Sequence, residues 1–593
     1  MPGIVGLITQ MPRERAVPEL LRMVEAVRHE PFYEVGTWVD ESLGVYVGWT
    51  VRKPSFAGSQ AMRTERGDVV LVLSGEVFPD TRMGGADAMP RLDHDGDESA
   101  LLASLKGRFH GLLADRRRGT AALFTDRYGM HRLYYHEAHQ VFYFAAEAKA
   151  ILEVRPELRR ADARSLGELV ACGCVLENRT LFEGIRVLPG GAAWAFDHGA
   201  PVRRAAYFEP REWESQETLA PEIYYRELRD VFAATLPRAF AGPEPVAMSL
   251  TGGLDTRMIM AWRRLPPGAL PCYTFGSMYR DGRDVQVARR VARTCGQPHT
   301  VIDVGEDFLS RFARYAERAV YLTDGCVAVN RAPDLYVNEL ARDVAPVRLT
   351  GNYGGEVLRR VRAFKPRVRY PELYHGDFRP HIDAAATTYA EIAGGHPLSF
   401  TVFRQAPWHH HGLLALEETQ LALRTPYLDN DFVRTVYRGP ASAFASNDVC
   451  LRLIAEGDPR LRWIRTDRGY GGRGGGGWRA HLLELEFKTE YAYDYGMPHW
   501  AARLDRLLSP LRPERLFLGR HKFYHFRVWY RDVLAPYVQA MLLDPRSLSR
   551  SYLDPRRVEV MVRGHVGGRG NYTSEIHSLL TLELIHRLFL DVR

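Results

Sequence analysis

Residues 246–260, Val-Ala-Met-Ser-Leu-Thr-Gly-Gly-Leu-Asp-Thr-Arg-Met-Ile-Met, constrain the fold more than any other stretch. Val246, Ala247, Met248 and Leu250 form the continuous apolar run of a strand buried on both faces, as in a parallel sheet. Gly252 and Gly253 follow at once, as needed where a backbone passes so close to a ligand that a Cβ would collide. Met258, Ile259 and Trp262 then begin the apolar face of a helix. Strand, glycine turn and helix N-terminus in that order make a socket for a phosphate, because free N–H groups and the positive dipole end face it. Thr251 and Thr256 add hydroxyls, and Asp255 adds a carboxylate suited to a Mg²⁺ carried by that phosphate. No Gly-Lys-Ser/Thr follows the glycines, which excludes the Walker pattern, and the spacing is not the dinucleotide fingerprint. A glycine turn with no ligand is the bland alternative.

A turn of this kind needs a sheet around it, and 593 residues leave room for two or more domains. With 46% apolar and 25% charged residues, the composition is that of an ordinary soluble protein. No run of ~18 apolar residues predicts a spanning helix, so no membrane partner is expected. The opening Met1-Pro-Gly-Ile-Val-Gly-Leu7 lacks the basic-then-apolar pattern of a signal peptide. Six cysteines are scattered, and the one close pair, Cys172 and Cys174, has the spacing of neither a zinc knuckle nor a redox pair. Reduced thiols in a cytoplasmic protein are the expectation. The net charge of +7, from 79 basic and 72 acidic residues, is mild for this length, and no nucleic-acid partner is expected. One dense basic stretch, Arg359, Arg360, Arg362, Lys365, Arg367 and Arg369, reads as a solvated face or as a polyphosphate clamp beside an active site. His409-His410-His411 lacks the carboxylate of a His-Glu-x-x-His motif and reads as surface histidines.

The two halves of the chain follow different patterns. Up to about residue 205, short apolar strands alternate with turn signals, at 4–8, 69–73, 121–124, 132–135 and 141–144, which predicts a β-rich layered domain. Further on, strands at 246–250, 271–276 and 299–303 alternate with helices, one of them entered through Asp284 as a cap. That alternation predicts a parallel sheet covered on both faces, with ligands at the carboxyl ends of its strands, where residues 251–255 lie.

Several segments of the first half, taken in order, resemble the class II glutamine amidotransferase domain of asparagine synthetases. These are Ser74-Gly-Glu-Val-Phe78, Thr125-Asp-Arg-Tyr-Gly-Met-His-Arg-Leu-Tyr-Tyr135, Phe144-Ala-Ala-Glu-Ala-Lys-Ala-Ile-Leu152 and Leu181-Phe-Glu-Gly-Ile-Arg-Val-Leu-Pro-Gly190, closed by Tyr207-Phe208. In the second half, Thr251-Gly-Gly-Leu-Asp-Thr256 resembles the Ser-Gly-Gly-x-Asp-Ser loop of the PP-loop ATP-pyrophosphatases. Leu349-Thr-Gly-Asn-Tyr-Gly-Gly-Glu-Val-Leu358 and Leu423-Arg-Thr-Pro-Tyr-Leu-Asp429 resemble two further segments of the synthetase domain. The resemblance implies an α/β protein. A layered, Ntn-hydrolase-like α+β domain over 1–208 would precede a parallel-sheet PP-loop domain with a helical C-terminal part over 215–593.

It further implies an ATP-dependent, AMP-forming carbon–nitrogen ligase. A small-molecule or peptide carboxylate would attack the α-phosphorus, and ammonia or an amine would then displace AMP. ATP would be held by Ser249, Leu250, Thr251, Gly252, Gly253, Asp255, Thr256, Phe275 and Gly351. Mg²⁺ would be held by Asp255 and Glu356. Asp255, Glu356 and Arg468 would be catalytic, with Arg468 or Arg465 standing in for the lysine that the family carries on the loop at 464–477. The glycines of that loop suggest a mobile lid. The segment 423–429 would combine structural and substrate-lining roles.

The departures from the family pattern are as informative as the matches. Pro2 stands where a glutaminase needs its nucleophilic cysteine, no cysteine precedes Cys172, and Ser74 replaces the asparagine that helps hold the oxyanion. The first domain is therefore expected to be a scaffold that does not hydrolyse glutamine. Asn352 replaces a glutamate and cannot act as a base. Gly355 replaces the second Mg²⁺-binding aspartate. The nitrogen donor stays open. One alternative is an asparagine synthetase-like enzyme fed by free ammonia or by a separate glutaminase. Another is a tailoring ligase of the β-lactam or macrolactam kind, and a third is a non-catalytic ATP-binding protein. A PP-loop tRNA-modifying enzyme is disfavoured by the N-terminal domain. A homodimer is also left open.

Overall fold

The computed structural model describes residues 1–52, 63–78, 98–198, 200–471, 478–508, 514 and 518–592. Residues 472–477 of the glycine-rich loop expected to be a lid lie outside the described residues.

Two six-stranded antiparallel sheets build the first half. One runs, in spatial order, through Arg186–Val187, Tyr134–Ala138, Val141–Ala145, Ile4–Thr9, Val45–Arg52 and Tyr33–Asp40. The other runs through Ala200–Ala206, Ala192–Asp197, Thr120–Thr125, Gly107–Asp115, Val69–Val77 and Arg63–Arg66. The period-two alternation of strand side chains sorts the layers. Ile4 and Ile8 point inward and pack with Val70, Val72, Leu112 and Leu123 of the facing sheet. Val5 and Leu7 point outward and meet Leu20 and Met23 of the helix Arg13–Ala26. On the far side, Val69, Leu71 and Phe109 pack under Leu102 of the helix Glu98–Ser104. The result is a helix–sheet–sheet–helix sandwich, which gives the layered α+β domain expected from the sequence its layer order.

The second half is a five-stranded parallel sheet in the order His299–Val304, Cys272–Ser277, Val246–Ser249, Val347–Leu349, Ala422–Arg424. The chain lays down three strands in one direction from Val246–Ser249 and then returns to add the other two on its opposite side. The central strand is thus the topological switch point, where a crevice opens beyond the strand ends. From Asn430 onward the chain is mainly helical, ending in Pro555–Val566 and Thr573–Ile585. Among the described residues no helix is long and apolar enough to cross a membrane.

Buried polar contacts join the halves. The Arg424 guanidinium reaches Glu76 at 3.0 Å, and Arg108 reaches Glu418 at 3.0 Å. Asp324 accepts the Ala148 N–H at 2.7 Å, closing the N-terminus of the helix Ala148–Val154.

Two local expectations are corrected. The helix expected to start from an Asp284 cap begins at Arg283, and the Asp284 carboxylate turns away to the glycine turn. The three histidines are not a surface cluster. His411 is buried, and His409 and His410 end the segment Thr401–His410, which winds as a π-helix and faces inward.

Candidate active site

Local chemistry shapes the turn after the central strand. Leu250 is completely buried, its N–H donates to Tyr273 O at 2.8 Å, and its carbonyl accepts from Thr274 Oγ1 at 2.7 Å. The strand end is thereby locked, and the next five residues swing clear of the sheet. Thr251 and Thr256 bring their hydroxyl oxygens within 3.2 Å of each other. The buried Arg257 donates to Gly252 O at 3.0 Å and to Ile464 O, so a guanidinium fastens the turn from behind.

A cleft of about 800 Å³ opens over this turn. Ser249, Thr251, Gly253, Asp255 and Thr256 line it from the turn, Gly351 and Glu356 from the second strand-to-helix passage, and Arg468 from the loop beyond. Sequence reasoning thus singled out residues that converge on one cavity from three separate segments. Leu250, Gly252 and Phe275 do not line it. Leu250 is the anchor below the turn. The Gly252 N–H, expected to face a phosphate, donates instead to Asp284 Oδ1 at 2.6 Å. Phe275 packs beneath the Arg348 guanidinium at 5.1 Å and against Phe523.

The second passage approaches the turn so closely that glycine is required. A Cβ on Gly351 would lie 2.7 Å from Thr256 N, and one on Gly354 would lie 2.7 Å from Asp255 Cγ. Between them, Tyr353 takes φ 71°, an uncommon conformation for a side chain of its size, at the entry to the helix Gly354–Arg359. One helical turn separates residue 355 from residue 359, so the Arg359 side chain folds back over Gly355. There it grips Asp255 at two points, Nη1 to Oδ1 and Nη2 to Oδ2, both 2.9 Å.

That pair occupies the residue expected to hold the metal. Both carboxylate oxygens of Asp255 are held by Arg359, and Gly355 offers no donor. Glu356 is half-buried, with His410 Nε2 at 3.9 Å from its Oε1. Among the described residues no group of three or more His, Cys, Asp or Glu side chains could hold a metal ion. With Asp255 engaged and Gly355 bare, the expected donor set for Mg²⁺ does not fit it as the side chains stand. The basic stretch, in turn, contributes its first member to the site as the clamp reading required, whereas Arg360 stacks over the Phe444 ring at 3.6 Å.

Several lining residues escaped the sequence reading: Asp284, Arg331, Arg348, His409, His410 and Glu417. Arg348 carried a signal, being a charge in the middle of the apolar strand Val347–Leu349, and it pairs with Glu417 Oε1 at 2.9 Å. Burial pushes His409 down to about 4 and His410 down to about 3, so both rings are neutral at pH 7. Burial, reinforced by the neighbouring Asp467, pushes Asp284 up to about 7. Burial also raises Glu356 to about 7.

The segment 423–429 is chiefly structural. Arg424 holds Glu76 and Ala241 O, Thr425 Oγ1 donates to Asn352 O, and Tyr427 OH donates to Asp255 O at 2.6 Å. Asp429 caps the helix Asn430–Val436 and pairs with Arg238 at 2.7 Å. Leu423 is the member of this segment on the cleft wall.

In the N-terminal domain, a pocket of about 30 Å³ is lined by Met1, Pro2, Arg52, Ser74, Glu76, Arg108, His131 and Glu418, among others, with no thiol on its walls. Ser74 Oγ lies 3.2 Å from His131 Nε2, and the buried Met1 amino group pairs with Glu147.

The glutamine amidotransferase domain model matches residues 92–208, and the asparagine synthase model matches residues 227–454. The chain is similar to asparagine synthetase [glutamine-hydrolyzing] 1 of Bacillus subtilis (strain 168), 21% identical over 399 residues that cover 63% of this chain and 61% of that protein. It is also similar to amidase chry2 of Gibberella zeae, 23% identical over 340 residues that cover 50% of this chain and 49% of that protein. It thus spans 61% and 49% of the lengths of these two relatives. Among solved structures, an allosteric regulatory enzyme of purine biosynthesis aligns at TM-score 0.25 and 10% identity, covering 50% of this chain and 80% of that one. Glutamine phosphoribosylpyrophosphate amidotransferase from B. subtilis aligns at 0.20 and 9%, covering 45% and 56%. Those structural likenesses are too slight to carry an argument. This chain thus carries a glutamine amidotransferase domain followed by an asparagine synthase domain, the domain order its sequence resembles, with the glycine turn at the switch point of the second.

Proposed function

We propose that this chain is an ATP-dependent amide-forming ligase that activates a carboxylate as an acyl-adenylate and passes it to ammonia or an amine. The asparagine synthase domain and the distant asparagine synthetase relative support ATP-dependent ligase chemistry of the amidotransferase kind. The observation that carries the finer reading is the glycine turn with its paired threonine hydroxyls, opening into a large cleft that also holds Arg359 and Arg468.

In this reading the pyrophosphate portion of ATP lies against Thr251, Gly253 and Thr256. A substrate carboxylate oxygen attacks the α-phosphorus, the bond to the β-phosphate oxygen breaks, and pyrophosphate leaves with its charge countered by the guanidinium groups. The amine then attacks the acyl carbon, loses a proton, and AMP departs. Asn352 cannot take that proton. Glu356 can, since a carboxyl raised to about 7 is matched to a general base working near neutrality. Arg331 and Arg348 supply positive charge to the wall for an acidic substrate.

The N-terminal domain serves as a scaffold in this scheme, because its pocket lacks a thiol. That favours a second form of the same chemistry, a tailoring ligase that joins a carboxylate to an amine without ammonia from glutamine. The likeness to a fungal protein named as an amidase is compatible with carbon–nitrogen chemistry of that sort. Exchange of radiolabelled pyrophosphate into ATP, run across a panel of acids, tests the proposal. Exchange with aspartate supports an asparagine synthetase-like reaction. Exchange with larger acids alone supports the tailoring reaction. Absence of exchange with every acid, in a preparation that binds ATP, sinks the ligase reading.

A further inference from the structure

We propose that Arg359 is a built-in counter-ion that takes the place of the divalent metal, so that the cleft binds the phosphates of ATP without Mg²⁺. The inference rests on the reading of this cleft as an ATP site and departs from the metal use that the family resemblance implies.

Three observations carry it. First, Asp255 is spent. Each of its oxygens is met by an Arg359 N–H at 2.9 Å. A Mg²⁺ bound at roughly 2.1 Å would have to displace the guanidinium or sit against its positive charge. Second, the position at which the resemblance places the other metal-binding carboxylate is Gly355, and the guanidinium uses the space. A Cβ there would lie 2.9 Å from Arg359 Nη2, so an aspartate at 355 would push the guanidinium from its present place. Third, the charges balance. Two carboxylates with one divalent cation are neutral, and so are one carboxylate with one guanidinium. Losing the acid at 355 and placing a base one turn later conserve the electrostatics of the site while removing its need for a metal.

Arg359 suits the task. A guanidinium carries five N–H donors in a rigid fork matched to phosphate oxygens. Two hold Asp255, and Nη1 also approaches Cys450 Sγ at 3.6 Å, which leaves donors for an anion. Its side chain is 22% exposed, so the charge is partly desolvated yet open to the cleft. Asp255 then acts as a positioning residue that aims the guanidinium, with Tyr427 OH fixing the backbone beneath it at 2.6 Å.

The test uses the full chain and calorimetric titration with ATP, in excess Mg²⁺ and in EDTA. The expected result is a Kd in EDTA within about threefold of that in Mg²⁺, and Arg359→Gln weakening binding in EDTA by about tenfold or more. Arg359→Lys, which keeps the charge, should retain part of the affinity and controls for misfolding. In parallel, Mn²⁺ is added without nucleotide and followed by electron paramagnetic resonance. The wild-type chain should leave Mn²⁺ free at micromolar concentration, and Gly355→Asp/Arg359→Ala, which restores the acid and removes the base, should bind it. Wild-type ATP binding that collapses by about tenfold or more in EDTA, or wild-type Mn²⁺ uptake abolished by Asp255→Asn, overturns the inference and leaves the ATP reading standing. No ATP binding in either buffer overturns both.

Discussion

Arg359 and Asp255, separated by 104 residues in sequence, meet in a two-point ion pair with both contacts at 2.9 Å. The pair ties the helix after one strand of the parallel sheet to the helix after its neighbour, at the point where the cleft opens. It is half-buried, so removing one partner strands the other. Asp255→Asn and Arg359→Gln are each expected to destabilise the fold by roughly 1–3 kcal/mol. The double variant should cost less than the two singles added together, with a coupling of about 1 kcal/mol or more in urea denaturation. Strict additivity would show that the pair does not form in solution.

Glu356 should separate the two half-reactions. Glu356→Gln is expected to keep pyrophosphate exchange, which precedes amine attack, and to lower amide formation by roughly 10²–10⁴-fold. The wild-type rate of amide formation should rise with pH through about 7, because the base works once deprotonated. A variant that loses exchange and amide formation equally would place Glu356 elsewhere in the mechanism.

Asp284 makes stability fall with pH. Burial first, and Asp467 second, raise it from 3.8 to about 7 in the folded chain. Below about 4 both folded and unfolded chains hold the proton. Between about 4 and 7 the unfolded chain releases it while the folded chain keeps it, so stability declines across that window and levels off above it. Asp284→Asn keeps an acceptor for the Gly252 N–H and removes the titration. The difference between variant and wild-type stability should therefore grow from near zero at pH 4 to on the order of 1–3 kcal/mol at pH 7, read from chemical denaturation. A difference that does not change with pH would mean Asp284 ionises normally.

The two domains should fail together when Glu76 is neutralised. Arg424 is buried, and Glu76 meets it at 3.0 Å. Glu76→Leu removes the carboxylate that this buried guanidinium meets, at a cost of roughly 3 kcal/mol. Adding Arg424→Met should recover most of it. Thermal unfolding of both variants checks this.

Glutamine should be inert. Incubation with glutamine is expected to release glutamate at the protein-free rate, with or without ATP. Release that survives Thr251→Ala and Asp255→Asn would show that the pocket around Ser74 and His131 does work as a glutaminase.

Several features of the site were legible because they are local. The apolar run from Val246 to Leu250, the two glycines and the apolar helix face dictate a strand, a turn and a helix through backbone sterics and burial alone. The same holds for the sorting of Ile4 and Ile8 from Val5 and Leu7, which alternation alone predicts. Gly351 reads as a residue beside the nucleotide, whereas nothing in the order of side chains singles out Gly354. Both make room for the N-terminus of the neighbouring helix and the Asp255 carboxylate, as the contacts of a virtual Cβ at each position reveal.

The order of two domains and the strand, turn and helix over 246–262 were determined by sequence alone, since each follows from residue type and local pattern. The tertiary structure alone decided what fills the space that Gly355 leaves, which base faces Asp255, and which backbone donor Asp284 occupies. Those are pairings between helices and turns that meet only once the sheet has assembled. Among six basic residues between 359 and 369, nothing in the order of side chains tells which one folds back over a glycine to reach a carboxylate 104 positions away.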